Sequence, residues 1–507
     1  MNAALDRADL TAPENRLKRW LILGGVTYPA SLYVGAQTIA NAVLPQMQGD
    51  LSAGIDQISW VITAAVVASA LGIPPAGWLT NRYGRKRVLV VSILSFAIAS
   101  LLCGLAENLT WVVIFRIFQS LIAAPIVAVS QAILVDIFPE KERGSAFAFW
   151  SAGVLVGWIM APSLGAYIAE LHSWRVIFFF LVPFSLIGVV TVLVAPETGS
   201  RDAKPFDWFG FASISISLSC FLIVLNRGQR EDWFESTEII LLTVLGSAAL
   251  YYFIVHTWHA KFPFIRWQIF QDRNYSLGIF LTFIYAGMTL VPLVMIPNMM
   301  AELKGLELFT TAVILIPRGL AQVFGLMFIG YLIQRFDPRL VTLLGFAAYA
   351  LGGWPMVNFN MDVGLWDVVW PNVLQGLAMS AMLVPATTLM YLELPKELRI
   401  DAAAVMQLAY SLSGSIGVAL SVIILSHTTQ VTQAELSTNV VPGNELLRFQ
   451  QYHSIDFGSV ESLLSVNAQL ASQALMVGYI NVFWATFILA LVVAPVALLF
   501  KVKKSVR

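Results

Sequence analysis

Apolar residues in this chain gather into about fourteen stretches, the first from Trp20 to Leu44 and the last from Ala474 to Phe500, separated by shorter polar segments. A run of roughly twenty apolar residues, rising 1.5 Å per residue, crosses the hydrocarbon core of a bilayer. The pattern predicts membrane-spanning helices, because a backbone in lipid must satisfy its own hydrogen bonds. The connecting segments alternate in charge. Basic residues cluster around Arg16 to Arg19, Arg82 to Arg87, Lys141 and Arg143, Arg201 and Lys204, Lys261 to Arg273, Arg335 and Arg339, Lys396 and Arg399, and Lys501 to Arg507. The intervening loops hold only Arg175, Arg227, Arg230, Lys304 and Arg448, about five against about twenty-three. The positive-inside rule then places both termini in the cytoplasm and requires an even number of spans.

Composition agrees. Of 507 residues, 58% are hydrophobic and 12% charged, and the mean hydropathy is +0.76, which excludes a soluble globular domain. A net charge of zero carries no nucleic-acid footprint, since the charges are sorted by membrane side. No hydrophobic leader precedes the first span, so that span is expected to target the chain without cleavage. Cys103 and Cys220 lie in separate apolar stretches, which predicts buried thiols rather than a disulfide or metal site. His256 and His259, one helical turn apart without a third ligand nearby, read as solvated histidines at the membrane surface.

The two ends of the chain echo each other. Gly77-Trp-Leu-Thr-Asn-Arg82 returns as Gly330-Tyr-Leu-Ile-Gln-Arg335, Leu44-Pro45-Gln-Met47 as Ile296-Pro297-Asn-Met299, and Gln119-Ser-Leu121 as Gln375-Gly-Leu377, all at an offset of about 254 residues. A shared offset implies two parallel six-span halves, at 1–200 and 266–507, joined by a two-span insert at 201–265. The only long polar segment, about Thr428 to Gln473, falls on the outer side and reads as either a docking surface or a loose loop.

Four motifs carry chemistry. The loop Gly77 to Leu89 joins turn-permitting glycines to surface arginines, and Asp136, an acid at the inner end of span four, is a natural partner for Arg85 in a latch between the halves; plain topology charge is the alternative. Arg116 lies inside span four, where burying a cation costs about 3 kcal/mol on insertion scales, so it must face polar partners in the bundle. Span five carries Gly153, Gly157, Ala161-Pro162 and Gly165-Ala166, a ridge of small residues that admits a neighbouring helix, with a proline that bends the span. Between spans seven and eight lies Leu225-Asn-Arg-Gly228-Gln-Arg-Glu-Asp-Trp233-Phe234-Glu-Ser236.

These segments resemble the signature motifs of the major facilitator superfamily, and the last looks like the loop of its fourteen-span drug:proton antiporters of the EmrB/QacA type. The likeness extends through Thr38-Ile-Ala-Asn41, Trp60-Val-Ile-Thr63, Trp174-Arg-Val-Ile-Phe178 and Ser411-Leu-Ser-Gly414-Ser-Ile-Gly417, and it is closest to the EmrB branch. It implies an all-α polytopic membrane protein with two six-helix halves and a two-helix insert, fourteen transmembrane helices in all. It further implies an inner-membrane exporter driven by protons, working with a periplasmic adaptor and an outer-membrane channel. By the same resemblance Arg116 is linked to proton coupling, and the ridge of Gly157, Pro162 and Gly165 to exchange. Among its departures from the pattern, Asn81 replaces an acid, Ala36 replaces an aspartate in span one, and Tyr410 replaces an arginine in span thirteen, while Ser120, Ala161 and Ala166 stand for glycines. The second departure leaves no acid in the middle of any span.

Arg318, between Pro317 and Gly319 in span ten, is the second intramembrane cation, and a helix break is expected there. Gln37, Asn41, Gln131, Gln322 and Gln375 supply hydrogen-bonding groups, and Trp158, Tyr285 and Tyr410 supply apolar faces, for a substrate cavity between the halves. The leading expectation is proton-coupled efflux of hydrophobic or amphipathic compounds by alternating access; a facilitator or symporter for an organic anion is the alternative. No clustered nucleophile, metal set or acid–base pair suggests an enzyme, and no cofactor is expected.

Overall fold

The computed structural model describes residues 16–197, 205–228, 231–260, 263–333, 335–395, 398–438, 440 and 459–501. Helices carry nearly all of it, and no β-strand occurs among the described residues. The first group comprises α1 (Arg16–Asp50), α2 (Trp60–Gly72), α3 (Ala76–Tyr83), α4 (Arg85–Leu105), α5 (Leu109–Ala123), α6 (Pro125–Ile137), α7 (Glu140–Leu171) and α8 (Trp174–Leu193). Then come α9 (Trp208–Arg227) and α10 (Thr237–His259). The last group is α11 (Arg273–Lys304), α12 (Leu308–Val313), α13 (Ile316–Leu332), α14 (Pro338–Gly353), α15 (Leu365–Met390), α16 (Arg399–Thr438) and α17 (Val460–Val493).

Among the described residues, eleven helical runs are long and apolar enough to cross a membrane, α5 and α6 forming one of them; α2 and α3, bent by 50° at their junction, make a twelfth. The polar residues of α1 and the 17-residue length of α13 keep these two outside that count, and adding both accommodates fourteen. The α2–α3 bend falls at Pro75, and the α5–α6 break falls before Pro125, positions where the missing N–H and the ring interrupt the hydrogen-bond ladder.

Small residues fix the tightest contact. A Cβ placed on Gly157 would lie 2.3 Å from Ser31 Oγ and 2.4 Å from the Ser31 carbonyl oxygen, and one on Gly165 would meet Ile39 at 2.4 Å. The ridge of α7 therefore presses its backbone onto α1, where Thr38 Oγ1 donates to the Trp158 carbonyl at 3.2 Å. Without a hydrophobic driving force in lipid, such close approach is what holds helices together. The second half repeats the device between α11 and α16, where a Cβ on Gly417 would meet Gly287 at 2.8 Å.

The polar segment after Thr428 differs from the loop expected for it. Residues 428–438 continue α16 and residues 460–473 begin α17, side by side, with Gln433 Nε2 donating to Asn467 Oδ1 at 3.4 Å. Neither stretch contains glycine or proline to interrupt a helix. Most of the residues between them lie outside the described ones.

Candidate transport site

Arg116 and Arg318 are 1% and 2% exposed, so each must find its hydrogen bonds inside the protein. Arg116 projects from α5 and donates through Nη1 to Gln119 Oε1 at 2.6 Å, one turn along the same helix, and to the Ala36 carbonyl of α1 at 3.3 Å. Gln119 passes the chain on, its Nε2 donating to Ser100 Oγ of α4 at 2.7 Å. Phe178 of α8 lies with its ring centroid 6.0 Å from the guanidinium carbon. Alongside, the Gln37 amide and the Ser120 hydroxyl are hydrogen-bonded at 3.2 Å, and Tyr33 donates to the Ser120 carbonyl.

Arg318 stands in the first turn of α13, just after the break that separates it from α12. Its Nη1 donates to Asn372 Oδ1 of α15 at 3.2 Å, and its Nη2 to the Thr289 carbonyl of α11 at 3.4 Å. Gln322, one turn on, donates to Tyr285 Oη at 3.1 Å, and the Tyr285 and Tyr410 rings sit 6.3 Å apart. Among the described residues neither guanidinium contacts a carboxylate; both are held by neutral amides and carbonyl oxygens. Hydrogen bonds to a charged group contribute about 1.5–3 kcal/mol each, enough for two or three to offset the burial of one arginine.

Other expected residues are placed differently. Arg85 and Asp136 do form an ion pair, and Arg85 Nη1 also donates to the Ala132 carbonyl at 2.7 Å. The pair joins α4 to α6 within one half, so it is not a bond across the halves. Gln375 packs into the α14 interface, 3.7 Å from Met356 Sδ and close to Gly352, away from the Arg318 cluster. Gln131 is half-buried on α6, and the Trp158 ring half-buried on α7. The side chain of Asn41 lies outside those described. His256, read from the sequence as solvated, instead meets Asp207 Oδ1 at 2.8 Å, and the same carboxylate accepts from the Gly210 and Phe264 N–H groups. That carboxylate ties the start of α9 to the end of α10 and the segment after it. Asn372 and Ser100 join these hydrogen-bond networks without having been singled out in the sequence, where Gln119 was named only for its echo in Gln375. The repeat offset was the available signal, since it carries Arg116 onto Asn372.

Over residues 30–418 the chain matches the Major Facilitator Superfamily. It belongs to that superfamily. Within the superfamily it is of the EmrB type: it is 31% identical over 455 residues to the multidrug export protein EmrB of Haemophilus influenzae, covering 88% of this chain and 89% of that protein. It is also 30% identical over 474 residues to the fatty acid resistance protein FarB of Neisseria gonorrhoeae, covering 92% of each. The major facilitator fold is seen again in a bacterial homolog of the human lysosomal transporter Spinster, inward-facing and occupied, at TM-score 0.60 and 16% identity over 95% of this chain and 96% of that one. The inward-open xylose transporter XylE of E. coli gives TM-score 0.58 at 13% identity, covering 96% of this chain and 98% of that one. As a major facilitator it is a multi-pass membrane protein and a transporter.

Proposed function

We propose that this transporter exports hydrophobic and amphipathic compounds by proton-driven alternating access, and that it favours weak acids and neutral aromatics over permanent cations. The relatives named for multidrug export and fatty acid resistance support the first part. One observation carries the second: each half buries a guanidinium held only by neutral groups among the described residues. Two uncompensated positive charges in a low-dielectric bundle attract anions and repel cations. Arg116 Nε, buried without an acceptor among the described residues, supplies a donor for a substrate oxygen.

In this reading the chain sits in the inner membrane with both termini cytoplasmic, its helices grouped six, two and six. The halves then meet on the outer side. There α7 packs on α12 and α13, a Cβ on Gly319 would collide with Ile159, and Arg227 at the end of α9 lies 4.8 Å from the Trp60 ring at the start of α2. Closure on that side leaves the path open to the cytoplasm. Gln37, Trp158, Tyr285, Gln322 and Tyr410 serve as cavity residues, and the paired extensions of α16 and α17 offer a surface to a periplasmic adaptor that leads to an outer-membrane channel.

The test is uptake of matched anionic, neutral and cationic aromatics into inverted proteoliposomes, with and without a pH gradient. Gradient-stimulated uptake of the acid and the neutral compound is expected; strong preference for the cation overturns the reading of substrate charge.

A further inference from the structure

A groove of about 640 Å³ opens beside the first half, away from both arginine clusters. Two helix breaks make it. Gly72, at the end of α2, packs so closely on α5 that a Cβ there would lie 2.1 Å from the Leu121 carbonyl oxygen, and the 50° bend that follows swings α3 outward. Across from it the α5–α6 break leaves Pro125 in the wall. Trp78 and Leu79 of α3, Val88 of α4, and Phe206 and Phe211 at the entry to α9 complete the lining. The rings of Trp78 and Phe206 are 5.1 Å apart, so the insert forms one side of the groove.

Among the described residues the lining is almost wholly apolar, with Arg87 its single charged member. Arg87 is exposed and makes no hydrogen bond or ion pair among the described residues. Arg82 lies over the Trp78 ring at 5.3 Å, next to the groove mouth, and no acid lines the walls among the described residues. A hydrophobic trough with an unpaired cation at its membrane-surface end fits an amphipath with an anionic head and an apolar tail. The volume falls within the roughly 300–1,000 Å³ of small-molecule sites. Between Arg87 and Ser92 the groove runs about 8 Å along α4, at 1.5 Å per residue, so it takes the head-proximal part of a chain and leaves the rest in the bilayer.

We propose that this groove captures long-chain carboxylates from the cytoplasmic leaflet, with the carboxylate at Arg87 and the chain against Trp78, Leu79 and Val88, ahead of transfer to the central path. The proposal rests on the reading above that acids are exported. Its test uses a long-chain carboxylate carrying a diazirine near the head, photolysed in proteoliposomes of the full-length protein and mapped by peptide mass spectrometry. Labelling of the 76–92 segment is expected, and Leu79→Trp, which fills the trough, should abolish it. Arg87→Gln should raise KM for the long-chain carboxylate by about tenfold, the loss of one charge-assisted contact, with kcat and the KM of a neutral aromatic unchanged. Both variants are first checked for an unaltered melting midpoint in detergent. If the unmodified protein exports no acids, the substrate reading fails. If it exports acids but Arg87→Gln leaves KM unchanged, or labelling misses the groove, the groove proposal alone fails. A diazirine phosphatidylglycerol that labels the same segment and resists displacement by the carboxylate would make it a phospholipid site and overturn the proposal.

Discussion

Arg318 donates to Asn372 across the α13–α15 contact at 3.2 Å, and Asn372 holds in the second half the place that Arg116 holds in the first, at the offset that also relates Gln119 to Gln375. The same helix position supplies the cation in one half and the acceptor in the other. Removing the acceptor leaves the guanidinium short of a bond, so Asn372→Leu should destabilise the protein by about 1–3 kcal/mol, seen as a lower melting midpoint. Asn372→Asp should keep or raise that midpoint while shifting export from acidic toward cationic aromatics. Unchanged selectivity in Asn372→Asp would remove Arg318 from the substrate path.

Arg116 meets two acceptors through Nη1, while its Nε has no acceptor among the described residues. Arg116→Ala is expected to abolish gradient-driven export while membrane insertion persists. Arg116→Lys should retain a fraction of it, because an ammonium keeps the charge but lacks the planar set of further N–H donors that a guanidinium presents. Initial rates of uptake in inverted vesicles check this; full export by Arg116→Ala would exclude the residue from the mechanism.

Arg85 and Asp136 hold the start of α4 to the end of α6. Neutralising either leaves a partly buried charge unpaired, so Arg85→Gln or Asp136→Asn should slow transport, and the charge-swapped double variant should recover part of the rate. Equal rates in all three variants and the unmodified protein would show that the pair is only a surface contact.

Gly319 lies tight against α7, where a Cβ would fall 1.9 Å from Ile159 Cδ1. Gly319→Leu should therefore hold the outer contact apart at a cost of about 1–3 kcal/mol and reduce turnover severalfold. Ile159→Ala should restore part of the lost rate in the double variant. No recovery would mean that the two helices do not approach there during transport.

Reporter fusions made after Gly199 and after Val440 should report opposite sides of the membrane, as the loop charges require. Finding both on one side would overturn the topology.

The all-helical membrane fold, the superfamily and the close-packed ridge of α7 were legible in the sequence. Span length, loop charge, repeat offset and the spacing of small residues are all properties of the chain as a line. The break before Arg318 was legible too, from Pro317. What the sequence left undetermined was the direction each polar side chain takes across the bundle. In a soluble protein an apolar stripe marks the buried face of a helix, but lipid is as apolar as the protein interior, so the outward and inward faces of these helices read alike. Only the tertiary structure decided that Gln375 turns toward α14 while Asn372, one turn away, meets Arg318, and that Asp207 reaches across to His256. The same reason kept the groove at Arg87 hidden. Its walls come from α3, α4, α6 and the start of α9, segments spread over more than a hundred residues whose apolar faces are brought together by the bend at Pro75 and the packing of Gly72.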